Sequence, residues 1–119
     1  MRRKLVVGNW KMHGSRASNA ELLAALLAAR PYTLDVAVCA PFVFLTEVAA
    51  TLAGSDIRWG AQDVSAHEQG AYTGEVAAAM LAECGCRYAI VGHSERRAYH
   101  AESDTLVADK AQEIGRAHV

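Results

Sequence analysis

Residues 88–97 read Tyr-Ala-Ile-Val-Gly-His-Ser-Glu-Arg-Arg. The first four form an apolar run with the pattern of a strand buried on both faces. Gly92 ends the run, and a histidine, a serine and a glutamate follow at once. Ser94 is a favourable helix N-cap, and Glu95 falls in the first turn, where a carboxylate suits the helix dipole. His93 therefore lies where a buried strand gives way to a helix. In parallel α/β folds ligands bind at the carboxyl ends of strands, so this polar triplet is a site candidate on position alone.

The same alternation recurs along the chain. Leu5–Asn9 predicts a first strand, followed by Trp10-Lys11-Met12-His13-Gly14. Ser18 and Glu21 are spaced as a capping box, Leu22, Leu23, Leu26 and Leu27 recur at helical spacing, and Pro31 stops that helix. Leu34–Ala40 predicts a second strand ended by Pro41, and Phe42–Leu52 a helix closed by Gly54. Ile57–Gln62 predicts a third strand. The polar, glycine-bearing segment Asp63–Glu75 is long for a βα connection and is a candidate functional loop. Val76–Cys84 predicts a short helix, Tyr88–Gly92 the fourth strand and Ser103–Glu113 a last helix with Leu106 and Val107 inward.

Four strands alternating with helices, each too apolar for a wet face, require a parallel α/β sheet covered by helices, with right-handed crossovers. Periodicity leaves two architectures open: an open doubly wound sheet, or βα units of a closed (β/α)8 barrel. The first strand lacks a G-x-G-x-x-G continuation, which argues against dinucleotide binding.

Composition narrows the function classes. A net charge of −1, with both signs mixed along the chain, gives no basic stripe for nucleic acid and no charged tail for a membrane surface. No apolar run approaches the ~18 residues of a transmembrane span. Arg2, Arg3 and Lys4 precede too short an apolar segment for a signal peptide, so a cytoplasmic protein is expected. Cys39, Cys84 and Cys86 have no disulfide framework spacing. Cys84-Gly85-Cys86 lacks the second pair of a metal site, so buried reduced thiols and no metal are expected.

Polar residues gather just after the strands: Asn9 and Lys11, Gln62 and Asp63, then His93, Ser94 and Glu95. Singly, each reads as ordinary surface or turn chemistry. Together they would converge on one rim of a parallel sheet.

These residues carry a resemblance. Val7-Gly8-Asn9-Trp10-Lys11-Met12, Cys39-Ala40-Pro41, Gly60-Ala61-Gln62-Asp63, Gly70–Glu75 and Val91–Arg97 look like triosephosphate isomerase motifs, in unbroken order over about residues 4–112. The resemblance implies the first four βα units of a (β/α)8 barrel and no cofactor. It also implies a homodimer that interconverts dihydroxyacetone phosphate and glyceraldehyde 3-phosphate in glycolysis and gluconeogenesis. By position, Lys11 would set a fixed positive charge against substrate phosphate and the developing enediolate oxygen, and Asn9 would orient substrate. His93 would polarise the carbonyl as a neutral imidazole and move a proton between the two oxygens, a role the family illustrates as a known case of tuned acid–base chemistry. Glu95 would be the second carboxylate of the site, beside Lys11, and Ser94 would hold the turn. Gln62, Thr73, Gly74 and Glu75 would belong to a dimer loop, with Thr73 at its tip reaching the other subunit's site.

The resemblance also implies what these 119 residues lack against about 250 for the fold. In the family, the glutamate general base precedes a lid after the sixth strand, and phosphate-gripping amides follow the seventh and eighth. The chain alone is thus expected to be inactive, with free edges on its first and fourth strands and a tendency to associate. Residues 113–119 (Glu-Ile-Gly-Arg-Ala-His-Val) are unlike the family's continuation and match what a sequencing adapter encodes in one frame. They are expected to be a non-native tail on a 1–112 unit. The alternatives are a non-catalytic half-barrel that binds phosphate or a partner, and an unrelated open-sheet phosphate binder.

Overall fold

The computed structural model describes residues 3–117. Arg2 of the basic N-terminus and His118 and Val119 of the expected tail lie outside the described residues. Four strands, β1 (Leu5–Asn9), β2 (Asp35–Ala40), β3 (Arg58–Ala61) and β4 (Tyr88–Ala89), form one parallel sheet in the order β1-β2-β3-β4. Between and after them lie α1 (Arg16–Ala28), a 3-10 turn (Phe42–Phe44), α2 (Leu45–Leu52), α3 (Ala78–Glu83), α4 (Ser94–Tyr99) and α5 (Asp104–Ala117). The sheet curls into an open half-barrel with flanking helices, the sequential, unreversed order of a closed barrel rather than of a doubly wound sheet.

The core lies between the sheet and its helices. Leu45, Val48 and Leu52 of α2, Ile57 and Ala61 around β3, and Leu81 of α3 are all buried there. Full burial of such a side chain stabilises by about 1.5–3 kcal/mol. The three thiols are free; Cys39 and Cys86 are buried, while Cys84 is partly exposed. Burial raises Cys39 to about 11, and burial followed by the neighbouring Cys84 and Cys39 raises Cys86 to about 12.

Local signals landed close to, but not always on, their targets. The cap of α1 is Ser15, whose hydroxyl accepts the Ser18 N–H, while the Ser18 hydroxyl accepts the Ser15 N–H. The capping box is therefore Ser15–Ser18 and not Ser18–Glu21, because a helix starting at Arg16 puts Ser18 in its third position. The predicted helix from Phe42 begins as a 3-10 turn. The strand predicted to Gly92 keeps ladder pairing only at Tyr88–Ala89, extended by the Ile90 N–H to the Ala61 carbonyl. The turn at Ser94 opens a separate six-residue helix, α4, before the predicted last one. The expectation that no strand has a wet face fails at β1, where Leu5, Val6 and Val7 are all exposed. As an edge strand β1 has only one paired neighbour, and nothing among the described residues covers those side chains.

Among the described residues no helix is long and apolar enough to cross a membrane. Residues 113–117 continue α5, with Glu113 buried and Ile114 and Ala117 packed against the core.

Candidate active site

Parallel pairing brings the strand ends level: Asn9 pairs with Cys39, Cys39 with Gly60, and Gly60 with Tyr88. Residues just beyond those positions must then share one rim. Asn9, Lys11, Gln62, His93 and Glu95 line one cleft of ≈ 600 Å³ there, with the exposed Met12 at its margin.

Lys11 sits on a strained turn. Its φ is +53°, a left-handed conformation that costs an ordinary residue about 1–2 kcal/mol. Two side chains hold it there. Asn9 Oδ1 accepts the Lys11 N–H at 2.9 Å, and Gln62 Nε2 donates to the Lys11 carbonyl at 2.9 Å. Gln62 Nε2 also lies 3.3 Å from Asn9 Oδ1 and 3.1 Å from the Cys39 carbonyl. One amide thus ties the ends of β1, β2 and β3 to the lysine. The sequence placed Gln62 both among the rim residues and in the expected dimer loop; its amide nitrogen is turned to the floor of this cleft.

His93 follows a glycine that the geometry requires. Gly92 has φ +64°, and a Cβ there would meet Val107 Cγ1 at 2.8 Å. The chain then turns into α4 with His93 as its N-cap residue: the ring Nδ1 accepts the Glu95 N–H at 3.1 Å. This corrects the expected cap, since Ser94 is already the first helical residue and is exposed. A ring nitrogen that accepts an amide proton carries none of its own, which assigns the proton of a neutral ring to Nε2. Glu95 Oε1 lies 3.4 Å from the same Nδ1, a contact that becomes an ion pair only when the ring is protonated. Glu95 Oε2 meets Lys11 Nζ at 3.0 Å, so lysine, carboxylate and imidazole form one cluster. Its members stay open to solvent, with 52% of the Lys11 side chain exposed.

Beside the cleft, and bordering it through Asp63 and Arg96, is a polar cluster centred on the buried Lys110 and Glu102, which the sequence reading missed apart from Asp63. Lys110 Nζ pairs with Asp63 Oδ1 at 2.8 Å and with Glu102 Oε2 at 2.6 Å. Arg96 pairs with the same Glu102 oxygen at 2.7 Å and with Asp63 Oδ2 at 3.3 Å. Burial alone pushes the Glu102 carboxyl up, but hydrogen bonds and charges from Lys110 and Arg96 outweigh it and hold the group below the usual carboxylate range. One signal was available: Lys110 lies four residues from both Leu106 and Ile114, on the inward face of α5.

The segment from Asp63 to Glu75 is organised by its own bonds. Ser65 donates its N–H to the Val76 carbonyl and its hydroxyl to Glu75 Oε1 at 2.6 Å, and His67 stacks on Tyr72 with centroids 3.7 Å apart. Thr73 and Gly74 are exposed at a turn closed by the Glu75 N–H to the Tyr72 carbonyl. Neither lines the cleft formed by Lys11 and His93.

Comparison with known proteins identifies the frame. A family model described as Triosephosphate isomerase matches residues 4–119. The triosephosphate isomerase of Bordetella pertussis is 65% identical over 112 residues, covering 93% of this chain and 45% of the relative. That of Cupriavidus pinatubonensis is 64% identical over 111 residues, covering 93% and 45%. The crystal structure of triosephosphate isomerase from Bartonella henselae superposes with a TM-score of 0.90 at 37% identity, covering 99% of this chain and 49% of that one. The chain spans about half the length of the curated relatives it matches. With the motifs, the half-barrel and the rim cluster in agreement, the chain belongs to the triosephosphate isomerase family.

Proposed function

We propose that this chain supplies the cationic and imidazole part of an isomerase site that interconverts dihydroxyacetone phosphate and glyceraldehyde 3-phosphate. The observation that carries the reading is the cluster of Lys11, Glu95 and His93 on one rim, with His93 Nδ1 occupied by the Glu95 amide.

The reaction removes a proton from the carbon beside a carbonyl, leaving an enediolate whose charge sits on oxygen. An Nε2–H donor at His93 stabilises that oxygen as charge develops, and the Lys11 ammonium adds a fixed positive field; both act more strongly in the transition state than in the ground state. Passing the His93 proton to one oxygen and recovering one from the other exchanges the positions of carbonyl and hydroxyl without a cofactor. Asn9 orients the substrate. The carbon acid still requires a base. Glu95 is engaged by Lys11 and does not fill that role, which the family resemblance assigns to a glutamate near the sixth strand. The chain by itself therefore binds and polarises without turnover.

The homodimer belongs to the same proposal. With Gln62 committed to the cleft and the Glu75 carboxylate to Ser65, the exposed Thr73–Gly74 turn is the part of the loop suited to a second subunit. A cytoplasmic location fits a triose phosphate substrate. Residues 1–112 carry the reading. Residues 113–119 are proposed as a foreign tail, and sequencing the source gene across the Glu113 codon tests that.

The experiment is equilibrium binding of a phosphorylated enediolate analogue to the chain. Saturable binding that Lys11→Met weakens by roughly tenfold or more agrees with a lost charge-assisted contact. Binding indifferent to both Lys11→Met and His93→Ala would remove the basis for the reading.

A further inference from the structure

Helix α4 carries Glu95 directly and is capped by His93, yet none of its residues is buried. Apolar packing therefore does not fix its position. Its other side-chain tethers, Arg97 to Asp104 and to the Gly92 carbonyl and Glu95 to Lys11, are exposed and weak. The anchor that reaches the protein's interior is Arg96, which joins the cluster around Lys110 and Glu102. That cluster closes on itself: Asp63 to Lys110, Lys110 to Glu102, Glu102 to Arg96, Arg96 to Asp63. Two carboxylates face two cations, and only 6% of the Lys110 side chain and 2% of the Glu102 side chain are exposed. With so little water around Lys110 and Glu102, the positions of these two ions are dictated by their partners. Asp63 Oδ1 and Oδ2 are each engaged, and the Glu102 Oε2 position is fixed by two donors.

Sequence adjacency links this ring to the cleft. Asp63 follows Gln62, whose amide holds the Lys11 backbone; Arg96 follows Glu95, whose carboxylate holds the Lys11 ammonium. We infer that the Asp63–Arg96–Glu102–Lys110 ring is the positioning device that keeps α4, and with it His93 and Glu95, in register with Lys11. Its four members come from the end of β3, from α4, from the α4–α5 connection and from α5, so it clamps the helix from three sides. Lys110 and Glu102 do not line the cleft, and Asp63 and Arg96 border it without contacting the Lys11 ammonium or the His93 ring; all four act through Glu95 and His93. The inference takes its catalytic meaning from the proposed isomerase site, but its test needs no substrate, so each can fail without the other.

The test is the tautomer of His93, read from its ring nitrogen shifts in histidine-labelled chain, together with hydrogen exchange of the Glu95 amide. In the unaltered chain His93 holds one tautomer, with Nδ1 unprotonated. Glu102→Gln and Lys110→Met each loosen the ring; His93 is expected to become a mixture of tautomers, and the Glu95 amide to exchange roughly tenfold faster. Lys110→Arg, which keeps the charge, restores the single tautomer. Leu52→Ala, a core truncation in α2, lowers stability while leaving both readouts as they were. If Lys110→Met does not fold, Asp63→Asn, at the more exposed of the ring's two carboxylates, gives the decision by the same two readouts. An unchanged His93 tautomer and Glu95 amide in a folded ring variant, or an equal change in Leu52→Ala, would overturn the inference.

Discussion

β1 and β2 lie side by side in parallel register, both are apolar, and they meet different surroundings. In β2, Ala37, Val38, Cys39 and Ala40 are at most 3% exposed, whereas Leu5, Val6 and Val7 of β1 are 41–53% exposed. The residue types do not explain the difference. Among the described residues β2 has a paired strand on each side, whereas β1 has one only and its other edge carries no ladder partner. Apolarity records the surroundings a strand is suited to, while burial records those this chain provides. The charges repeat the contrast. The Lys110 ring is enclosed by β3, α4 and α5, whereas the Lys11–Glu95 pair at the open rim is half in water.

The sharpest way to break the comparison is to place the same charge on both strands. Val38→Asp buries an unpaired carboxylate and is expected to abolish folding, since the effective penalty is several kcal/mol. Val6→Asp is expected to stay within about 0.5 kcal/mol of the parent in urea unfolding and to reduce self-association at the β1 edge. Equal destabilisation by the two would mean that β1 is covered in solution.

The charged pairs sharpen it next. Lys110→Met leaves the buried Glu102 and the partly buried Asp63 with Arg96 as their one cation in the ring, and is expected to cost up to about 3–5 kcal/mol. Lys11→Met removes a solvated pair and is expected to cost less than about 1 kcal/mol, its effect falling on ligand binding. Acid separates the same two regions. Because the folded Glu102 carboxyl titrates below its unfolded value, the ring's contribution is fully present above the ordinary carboxylate range. It is lost as pH falls through the lower folded value, so Glu102→Gln should flatten the acid limb of the stability–pH curve.

The smallest effect is at the thiols. Cys39 and Cys86, buried and raised, should react with an alkylating reagent at pH 8 far more slowly than the partly exposed Cys84. Rates that coincide would place β2 in the same environment as β1.

Much of the frame was legible because it is encoded locally. The break from apolar run to Gly92-His93 marks a strand end with a turn, and parallel pairing does the rest. The same holds for Asn9 and Lys11 after β1. The cap of α4 was misplaced because a histidine is an unusual N-cap; its ring nitrogen competes for the amide that a serine hydroxyl would otherwise take. Gln62 was expected at the rim, but its bonds were not legible, since its three acceptors come from β1, β2 and the turn after β1, which meet only in the folded sheet. The ring was hidden for the same reason: Asp63 and Lys110 are 47 positions apart. Exposure of β1 is a property of neighbours, which no local pattern contains.

The most direct test of the account is complementation. The purified chain is assayed for triose phosphate isomerisation alone, and then mixed with the remaining C-terminal segment of the Bordetella pertussis relative. No turnover is expected of the chain alone, and turnover is expected in the mixture, abolished by His93→Ala in this chain. Turnover by the chain alone that disappears with His93→Ala would contradict it, as would a demonstrated complex of the two segments that stays inactive.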